Sequence, residues 1–203
     1  MHVLIVGDEP SKKYWDYYEE GSLDEFDLII SVGDLPAAYL SFLVTFAKCP
    51  VAYIAGNHDD RYNETPPEGC YCIDDKLVVY KGVRFLGLGG SYRYKPGPCQ
   101  YTESEMKRRI LRLMPQIIFR RGFDVLVTHS PARNLNDGED LPHRGFECFN
   151  KLIEKYHPKF FIHGHVHMNY GRNFPRESMK GDTRVINGYI SYVIDIDEVP
   201  GKE

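Results

Sequence analysis

A repeated unit runs through this chain: a short apolar segment is followed, often through a glycine, by a side chain of the kind that binds metal ions. The apolar segments read as buried strands, and they cover residues 2–6, 27–32, 51–55, 124–128 and 159–163. The side chains that follow them are Asp8, Asp34, Asn57 with His58, His129, and the pair His165 and His167. Open α/β sheets bind their ligands beyond the carboxyl ends of their strands, so we expect these side chains to meet in one crevice at one edge of a sheet.

Other segments predict the remaining architecture. Helical patterns alternate with the strands, which favours an α/β fold with helices on the faces of the sheet. Pro36 suits the first turn of a helix that continues through the following apolar run. Residues 77–80 and 83–88 predict a hairpin that turns at Lys81-Gly82, and residues 183–187 and 190–196 predict another through Gly188. A second, more antiparallel sheet beside the first is therefore expected.

One long helix has a clear start. Thr102 and Glu105 have the spacing of a capping box. Apolar residues then recur at helical spacing, and Pro115 is expected to kink or end the helix. The basic residues along this region, which include Arg109, are explained mostly by a solvated helix face.

Composition limits the classes of partner. The 203 residues are read as one domain, 1–203. The formal net charge of −4 gives no electrostatic reason to expect nucleic acid or an anionic membrane surface. The five cysteines are odd in number, and Cys70-Tyr71-Cys72 lacks the two-residue spacer of redox and zinc pairs, which favours reduced thiols. With no leader at the N-terminus and no apolar stretch near the ~20 residues of a membrane helix, we expect a cytoplasmic protein.

The candidate ligands form a mixed set of carboxylate, amide oxygen and imidazole. Such a set suits Mn, Fe or Zn rather than calcium. A single histidine at a strand end is more often a hydrogen-bonded structural residue. The ordered occurrence of all the motifs, ending in a Gly-His-x-His sequence at residues 164–167, favours a metal site instead.

That ordered set resembles the calcineurin-like metallophosphoesterase superfamily. The motifs are Gly7-Asp8, Gly33-Asp34, Gly56-Asn57-His58-Asp59, Thr128-His129-Ser130-Pro131 and Gly164-His165-Val166-His167. They span residues 3–187. The resemblance implies a four-layer αββα sandwich of two mixed sheets flanked by helices. It also implies hydrolysis of a phosphodiester or a small organic phosphate by two divalent metal ions that activate a hydroxide.

The resemblance also assigns roles to residues. Asp34 would bridge two metal ions, with Asp8 and His167 completing the first site. The second site would be completed by Asn57, His129 and His165. His58 would not be a ligand but would face the phosphate and protonate the leaving oxygen. Asp59 could help to orient this region.

Two departures from the family pattern matter. The first motif normally has a histidine two residues after the aspartate, and this chain has Pro10 there. The first metal site therefore loses one protein ligand, which Glu9, a water or a residue of segment 11–25 would have to replace. The sequence after Asp34 also lacks the Asp-Arg-Gly of protein Ser/Thr phosphatases, which argues against a phosphoprotein substrate.

Alternatives to an enzyme with a small substrate stay open. A metal-poor protein-binding module on the same fold would be consistent with the loss of the histidine, but it would have no use for His58. A nuclease would use the arginine-rich helix and the loop 89–98, although the near-neutral charge argues against it. That loop combines glycines, aromatics and two cations. It either lines the crevice, where it would meet a phosphate or a base, or is an ordinary connection rich in turn formers.

Overall fold

Thirteen strands and three α-helices make up the described part of the chain. The computed structural model describes residues 1–168 and 174–197. The strands are β1 (His2–Gly7), β2 (Leu28–Ser31), β3 (Val51–Tyr53), β4 (Tyr71–Cys72), β5 (Lys76–Tyr80), β6 (Val83–Leu88), β7 (Ser91–Tyr92), β8 (Gln100–Tyr101), β9 (Val125–Thr128), β10 (Phe160–His163), β11 (Glu177–Lys180), β12 (Thr183–Asn187) and β13 (Ile190–Asp195). The helices are α1 (Ala37–Phe46), α2 (Glu103–Phe119) and α3 (Glu147–Tyr156).

Two large mixed sheets dominate the fold. The first has the order β13-β1-β2-β3-β4, in which β13 runs antiparallel to β1 and the other pairs are parallel. The second has the order β11-β12-β10-β9-β6-β5, with parallel pairs at its centre and an antiparallel pair at each edge. The short strands β7 and β8 pair with each other. The second sheet has two antiparallel pairs and the first has one, which agrees with the expected second, more antiparallel sheet.

Three hydrophobic clusters separate four layers. The cluster between the sheets joins Ile5 and Ile30 of the first sheet to Phe85 of the second. Because successive strand residues point to opposite faces, Leu4 lies on the outer face of the first sheet, where it belongs to the cluster with Leu40 of α1. A third cluster joins the outer face of the second sheet to α2 and α3. The predicted αββα sandwich is confirmed.

The strands that carry the candidate ligands are divided between the two sheets. β1, β2 and β3 lie in the first sheet, whereas β9 and β10 lie in the second. The expectation that all of them share one edge of one sheet was wrong. Every one of these strands is almost wholly buried, and a fully apolar run does not record which other strand it pairs with.

One of the two predicted hairpins is confirmed and the other was wrong. β5 and β6 pair antiparallel around Lys81 and Gly82, which have φ values of 45° and 79°, as a tight hairpin turn requires. β12, in contrast, pairs with β11, and β13 crosses to the first sheet beside β1. Gly188 permits this crossing, because a Cβ there would lie 2.6 Å from the Ile5 side chain.

Helix α2 begins as predicted but continues past its proline. Thr102 Oγ1 accepts a bond from the Glu105 amide, and the Glu105 carboxylate accepts one from the Thr102 amide at 2.7 Å. The helix ends at Phe119, not near Pro115. Leu113 and Ile117, on either side of this proline, are both buried against the second sheet, and this packing offsets the lost backbone bond.

All five cysteines lie in the described part of the chain, and none of them forms a disulfide there. Their reduced state in the cell stays a prediction. Among the described residues, no helix is long and apolar enough to cross a membrane.

Arg109 is not on the solvated face of α2, as the sequence suggested for most of its cations. Only 5% of its surface is exposed. Its guanidinium bonds to Asp74 at 2.6 Å, to Asp75 at 2.8 Å and to the Gly89 carbonyl at 2.6 Å. It thereby joins α2 to the chain segments that follow β4 and β6.

Replacing Arg109 by alanine is expected to destabilise the protein by about 1–3 kcal/mol, because the change removes a buried guanidinium and leaves the partly buried Asp74 carboxylate and the Gly89 carbonyl without their donor. Urea unfolding measures this loss. Arg108→Ala, on the exposed face of the same helix, is the matched control and should stay within about 0.5 kcal/mol of wild type. Equal stability of the two variants would contradict a structural role for the Arg109 ion pairs.

Candidate metal centre

The carboxyl ends of strands from both sheets border one cleft of about 480 Å³. The residues that line it are Asp8, Asp34, Asn57, His58, Tyr94, Pro142, His143, His165 and His167. His129 is fully buried just after β9. Its Nε2 contacts the side chains of Asn57 and Asp34. The structure therefore brings together all seven residues that the sequence selected.

His129 presents one nitrogen to the cluster. Its Nδ1 lies 2.8 Å from the Val32 carbonyl oxygen, which can only accept, so Nδ1 carries the hydrogen. Nε2 then faces Asn57 Oδ1 at 3.0 Å and Asp34 Oδ2 at 3.3 Å. Burial alone would lower the pKa of His129, but the Asp34 carboxylate raises it to about 9. His129 Nε2, Asn57 Oδ1 and Asp34 Oδ2 all carry lone pairs and point toward one another. A cation between them, either a proton on Nε2 or a metal ion, would stabilise this arrangement.

His165 completes this group. One ligand atom from each of Asp34, His129 and His165 lies within 4.8 Å of the others. His165 Nε2 donates to the Pro142 carbonyl at 2.7 Å, which leaves Nδ1 as the nitrogen that is free to bind a metal. Burial, reinforced by the nearby charge of His129, lowers the pKa of His165 to about 3. The imidazole is therefore neutral, which is the form that binds metals.

The surroundings of Asp8 also favour a bound cation. Its Oδ1 accepts the His165 amide at 2.8 Å, while its buried Oδ2 has no hydrogen-bond partner. Burial is the main reason that the pKa of Asp8 rises to about 7, and the charge of Asp34 adds to it. A buried carboxylate oxygen without a donor is costly, and a divalent ion would satisfy it.

His167 also lines the cleft, and its contacts are with Glu9 and Tyr189. Its ring stacks on Tyr189 with centroids 4.8 Å apart, and its Nδ1 lies 3.8 Å from Glu9 Oε1. Glu9 Oε1 also accepts the Tyr189 hydroxyl at 2.7 Å. Within the described residues, the compact ligand group does not include Asp8 or His167. The predicted first metal site, with Asp8, His167 and Pro10 in place of the family's histidine, is thus less compact than the group of Asp34, His129 and His165.

The backbone at this site is strained. Asp8, Asp34 and His165 all have left-handed conformations, with φ values of 64°, 57° and 67°. For residues other than glycine this costs on the order of 1–3 kcal/mol each, and such residues concentrate at functional sites. The glycine of the Gly-Asn-His-Asp motif permits the close approach, because a Cβ at Gly56 would lie 2.1 Å from Asp34 Oδ1.

Asp59 holds two ligand loops together. Its Oδ2 accepts the Asp34 amide at 2.6 Å and the Gly56 amide at 2.7 Å. The two amides belong to the segments that follow β2 and β3. The expectation that Asp59 orients this region is confirmed.

His58 differs from the ligand group in its exposure. Its side chain lines the cleft but is exposed, and its backbone amide donates to Asp34 Oδ1 at 2.7 Å. This position suits a group that meets a substrate rather than one that holds a buried ion. Its predicted role as a general acid stays a prediction.

Sequence reasoning missed two residues of the cleft. His143 donates from Nδ1 to Asp140 at 2.7 Å, and its ring lies 5.3 Å from that of His165. It is on an irregular segment, where no strand pattern could have pointed to it. Pro142, beside it, supplies only its backbone carbonyl.

The sequence left open whether the loop 89–98 lines the crevice or is an ordinary connection. Tyr94 of this loop does line the cleft. From the sequence, the shape of the crevice depends on the loops around residues 91–101 and 168–181, and residues 169–173 of the second loop lie outside the described residues.

Asp8→Asn is expected to stabilise the metal-free protein near pH 7.5 by about 1–3 kcal/mol. The pKa of Asp8 is raised in the fold, so the unfolded chain loses this proton first as the pH rises from about 4 to 7, and stability falls over that range. Asparagine removes the effect, and near pH 4 the difference should vanish. Urea unfolding with a chelator at both pH values tests this; a variant that is less stable than wild type at pH 7.5 would contradict it.

Comparison with known proteins agrees with this architecture. One solved crystal structure has a TM-score of 0.66 at 15% identity and covers 96% of this chain and 94% of its own. The crystal structure of TT1561 of Thermus thermophilus has a TM-score of 0.58 at 14% identity, covering 93% and 88%. These identities support a shared fold alone, and no curated protein matches the chain. The model of the calcineurin-like phosphoesterases matches residues 1–169, and the chain therefore belongs to the calcineurin-like phosphoesterase family.

Proposed function

We propose that this protein is a metal-dependent phosphoesterase that hydrolyses a phosphodiester or a small organic phosphate. The family suggests metal-dependent phosphoester hydrolysis. The observation that carries the proposal for this chain is one cleft that combines a compact group of metal-type ligands with the exposed imidazole of His58. The substrate would be a small molecule, and the free cysteines fit a cytoplasmic location.

The residues present fit two divalent ions, but they fit them unequally. Asp34, Asn57, His129 and His165 would hold the tighter ion, and Mn, Fe or Zn would suit this donor set. Asp8 and His167, together with a shared Asp34, would hold the weaker ion because Pro10 offers no ligand. Two such ions would supply charge for a phosphoryl oxygen and would activate water for an in-line displacement.

The chain itself would contribute positioning and a proton. The His58 amide bond to Asp34 fixes the backbone of His58 at the ligand group, while its side chain stays accessible to a bound phosphate. An imidazole in this place can donate a proton to the leaving oxygen. Asp59, through its bonds to the Asp34 and Gly56 amides, would keep the ligands in place during the reaction.

A protein-binding module on the same fold is the alternative, and one observation disfavours it. A scaffold has no need to leave a buried oxygen of Asp8 without a hydrogen-bond partner, a cost that a bound metal ion would remove. Binding to nucleic acid remains disfavoured by the net charge of −4.

Asp34→Asn and His58→Ala are expected to separate ligand from acid. Asp34→Asn should remove metal binding and turnover together, because Asp34 would be shared by both ions. His58→Ala should keep its metal and lose about 10²- to 10⁴-fold in turnover. Metal content by mass spectrometry and hydrolysis of bis(p-nitrophenyl) phosphate with added Mn²⁺ measure the two effects. Loss of metal in His58→Ala with unchanged turnover per metal would show that His58 is a ligand.

Restoring the histidine of the first motif is expected to tighten the weaker ion. Pro10→His should lower the dissociation constant of the second Mn²⁺ equivalent by about tenfold or more, the scale on which a ligand environment tunes affinity. Pro10→Ala is the matched control, since it removes the proline without adding a ligand. Isothermal titration with Mn²⁺ provides the measurement, and identical second-equivalent affinities in both variants would place Pro10 outside the metal site.

A further inference from the structure

Tyr94 connects the candidate metal centre to a loop that no assigned role explains. Its ring lines the cleft with Asp34 and His58. Its hydroxyl accepts a bond from Asn57 Nδ2 at 3.4 Å. An aromatic side chain therefore lies directly beside the position where a phosphate would bind.

The loop that carries Tyr94 is held in place by a buried side chain. Gln100, which is 2% exposed, accepts the amides of Tyr94 and Lys95 at its Oε1, each at 3.3 Å. The Arg93 amide donates to the Tyr101 carbonyl at 3.0 Å. These bonds fix the backbone on both sides of Tyr94, which an ordinary surface connection does not need.

Tyr94 also lines a second, open cavity. This cavity measures about 530 Å³ and is lined by Arg93, Tyr94, Lys95, Pro96 and Gly97. The Lys95 ammonium lies over the Tyr94 ring, 5.3 Å from its centroid, whereas the Arg93 guanidinium is paired with Glu105. Tyr94 thus borders both the metal-type cleft and an open pocket with a lysine beside it, of a size that suits a small ligand group.

We propose that Tyr94 and Lys95 form a subsite for the second ester arm of a phosphodiester, and that this arm carries a planar aromatic ring such as a nucleoside base. The inference rests on the proposed function and narrows its substrate class. A monoester substrate has only its leaving arm and nothing to fill the pocket, whereas the nucleoside monophosphate released from a diester keeps the second arm. An aromatic arm can stack on Tyr94, and the ammonium of Lys95 attracts the anionic diester.

Three substrates with the same leaving group test the subsite. They are p-nitrophenyl phosphate, methyl p-nitrophenyl phosphate and thymidine 5′-(p-nitrophenyl) phosphate, all assayed with Mn²⁺. Wild type should show a kcat/KM about tenfold or more higher for the thymidine diester than for the methyl diester, the scale of one stacked base. Tyr94→Ala should abolish this difference and Tyr94→Phe should keep it. Tyr71→Ala, at a 65% exposed tyrosine outside the cleft, should match wild type.

A binding measurement reports on the same subsite without turnover. Thymidine 5′-monophosphate should bind about tenfold or more weakly to Tyr94→Ala than to wild type, whereas the affinity for inorganic phosphate should be equal in the two proteins. Isothermal titration gives both values.

Equal wild-type kcat/KM for the methyl and thymidine diesters, or a preference that survives in Tyr94→Ala, would overturn the subsite. If wild type hydrolyses none of the three substrates with Mn²⁺, the proposed function fails instead. The titration then decides on the subsite alone: a tenfold loss restricted to the nucleotide supports it, and equal nucleotide affinities overturn it.

Discussion

The contact between His129 and the Val32 carbonyl is the interaction on which the site depends. His129 follows a strand of the second sheet and Val32 follows a strand of the first, so this 2.8 Å bond ties the carboxyl ends of the two sheets together. It also fixes which imidazole nitrogen faces Asp34 and Asn57. The architecture and the ligand geometry therefore share one constraint, and the cleft exists because the two sheets approach each other at this point.

Charge is the second constraint on the site. Asp8 and Asp34 are close enough for the charge of one to raise the pKa of the other. The fold compensates unequally: His129 and the amide of His58 hold the pKa of Asp34 below its ordinary value, whereas Asp8, whose Oδ1 accepts the His165 amide, keeps a raised pKa because of its burial. Strained backbone at three of the ligand residues adds to the cost. A buried Asp8 oxygen without a donor, beside a second carboxylate, fits a bound cation, and the rest of the fold is stabilised by the three apolar clusters between the layers.

The sequence predicted which residues meet in the cleft better than it predicted the connectivity around them. Each candidate ligand follows a buried strand, and this local signal, with the order of the motifs, selected Asp8, Asp34, Asn57, His129, His165 and His167 as a set. The pairing of strands is not local, so β13 was assigned to a hairpin with β12 although it crosses to the other sheet. Arg109 was misjudged for the same reason, because its partners Asp74 and Asp75 come from a distant segment. His143 reaches the cleft from an irregular segment, where neither strand nor helix periodicity applies.

The most direct test of the account is the location of Mn²⁺ by anomalous diffraction from crystals grown with the ion. The account predicts the strongest peak among Asp34, Asn57, His129 and His165, with a weaker peak beside Asp8 and His167. Absence of any peak in this cleft, at Mn²⁺ concentrations well above those that saturate a typical enzyme site, would contradict the assignment of these residues as a metal centre.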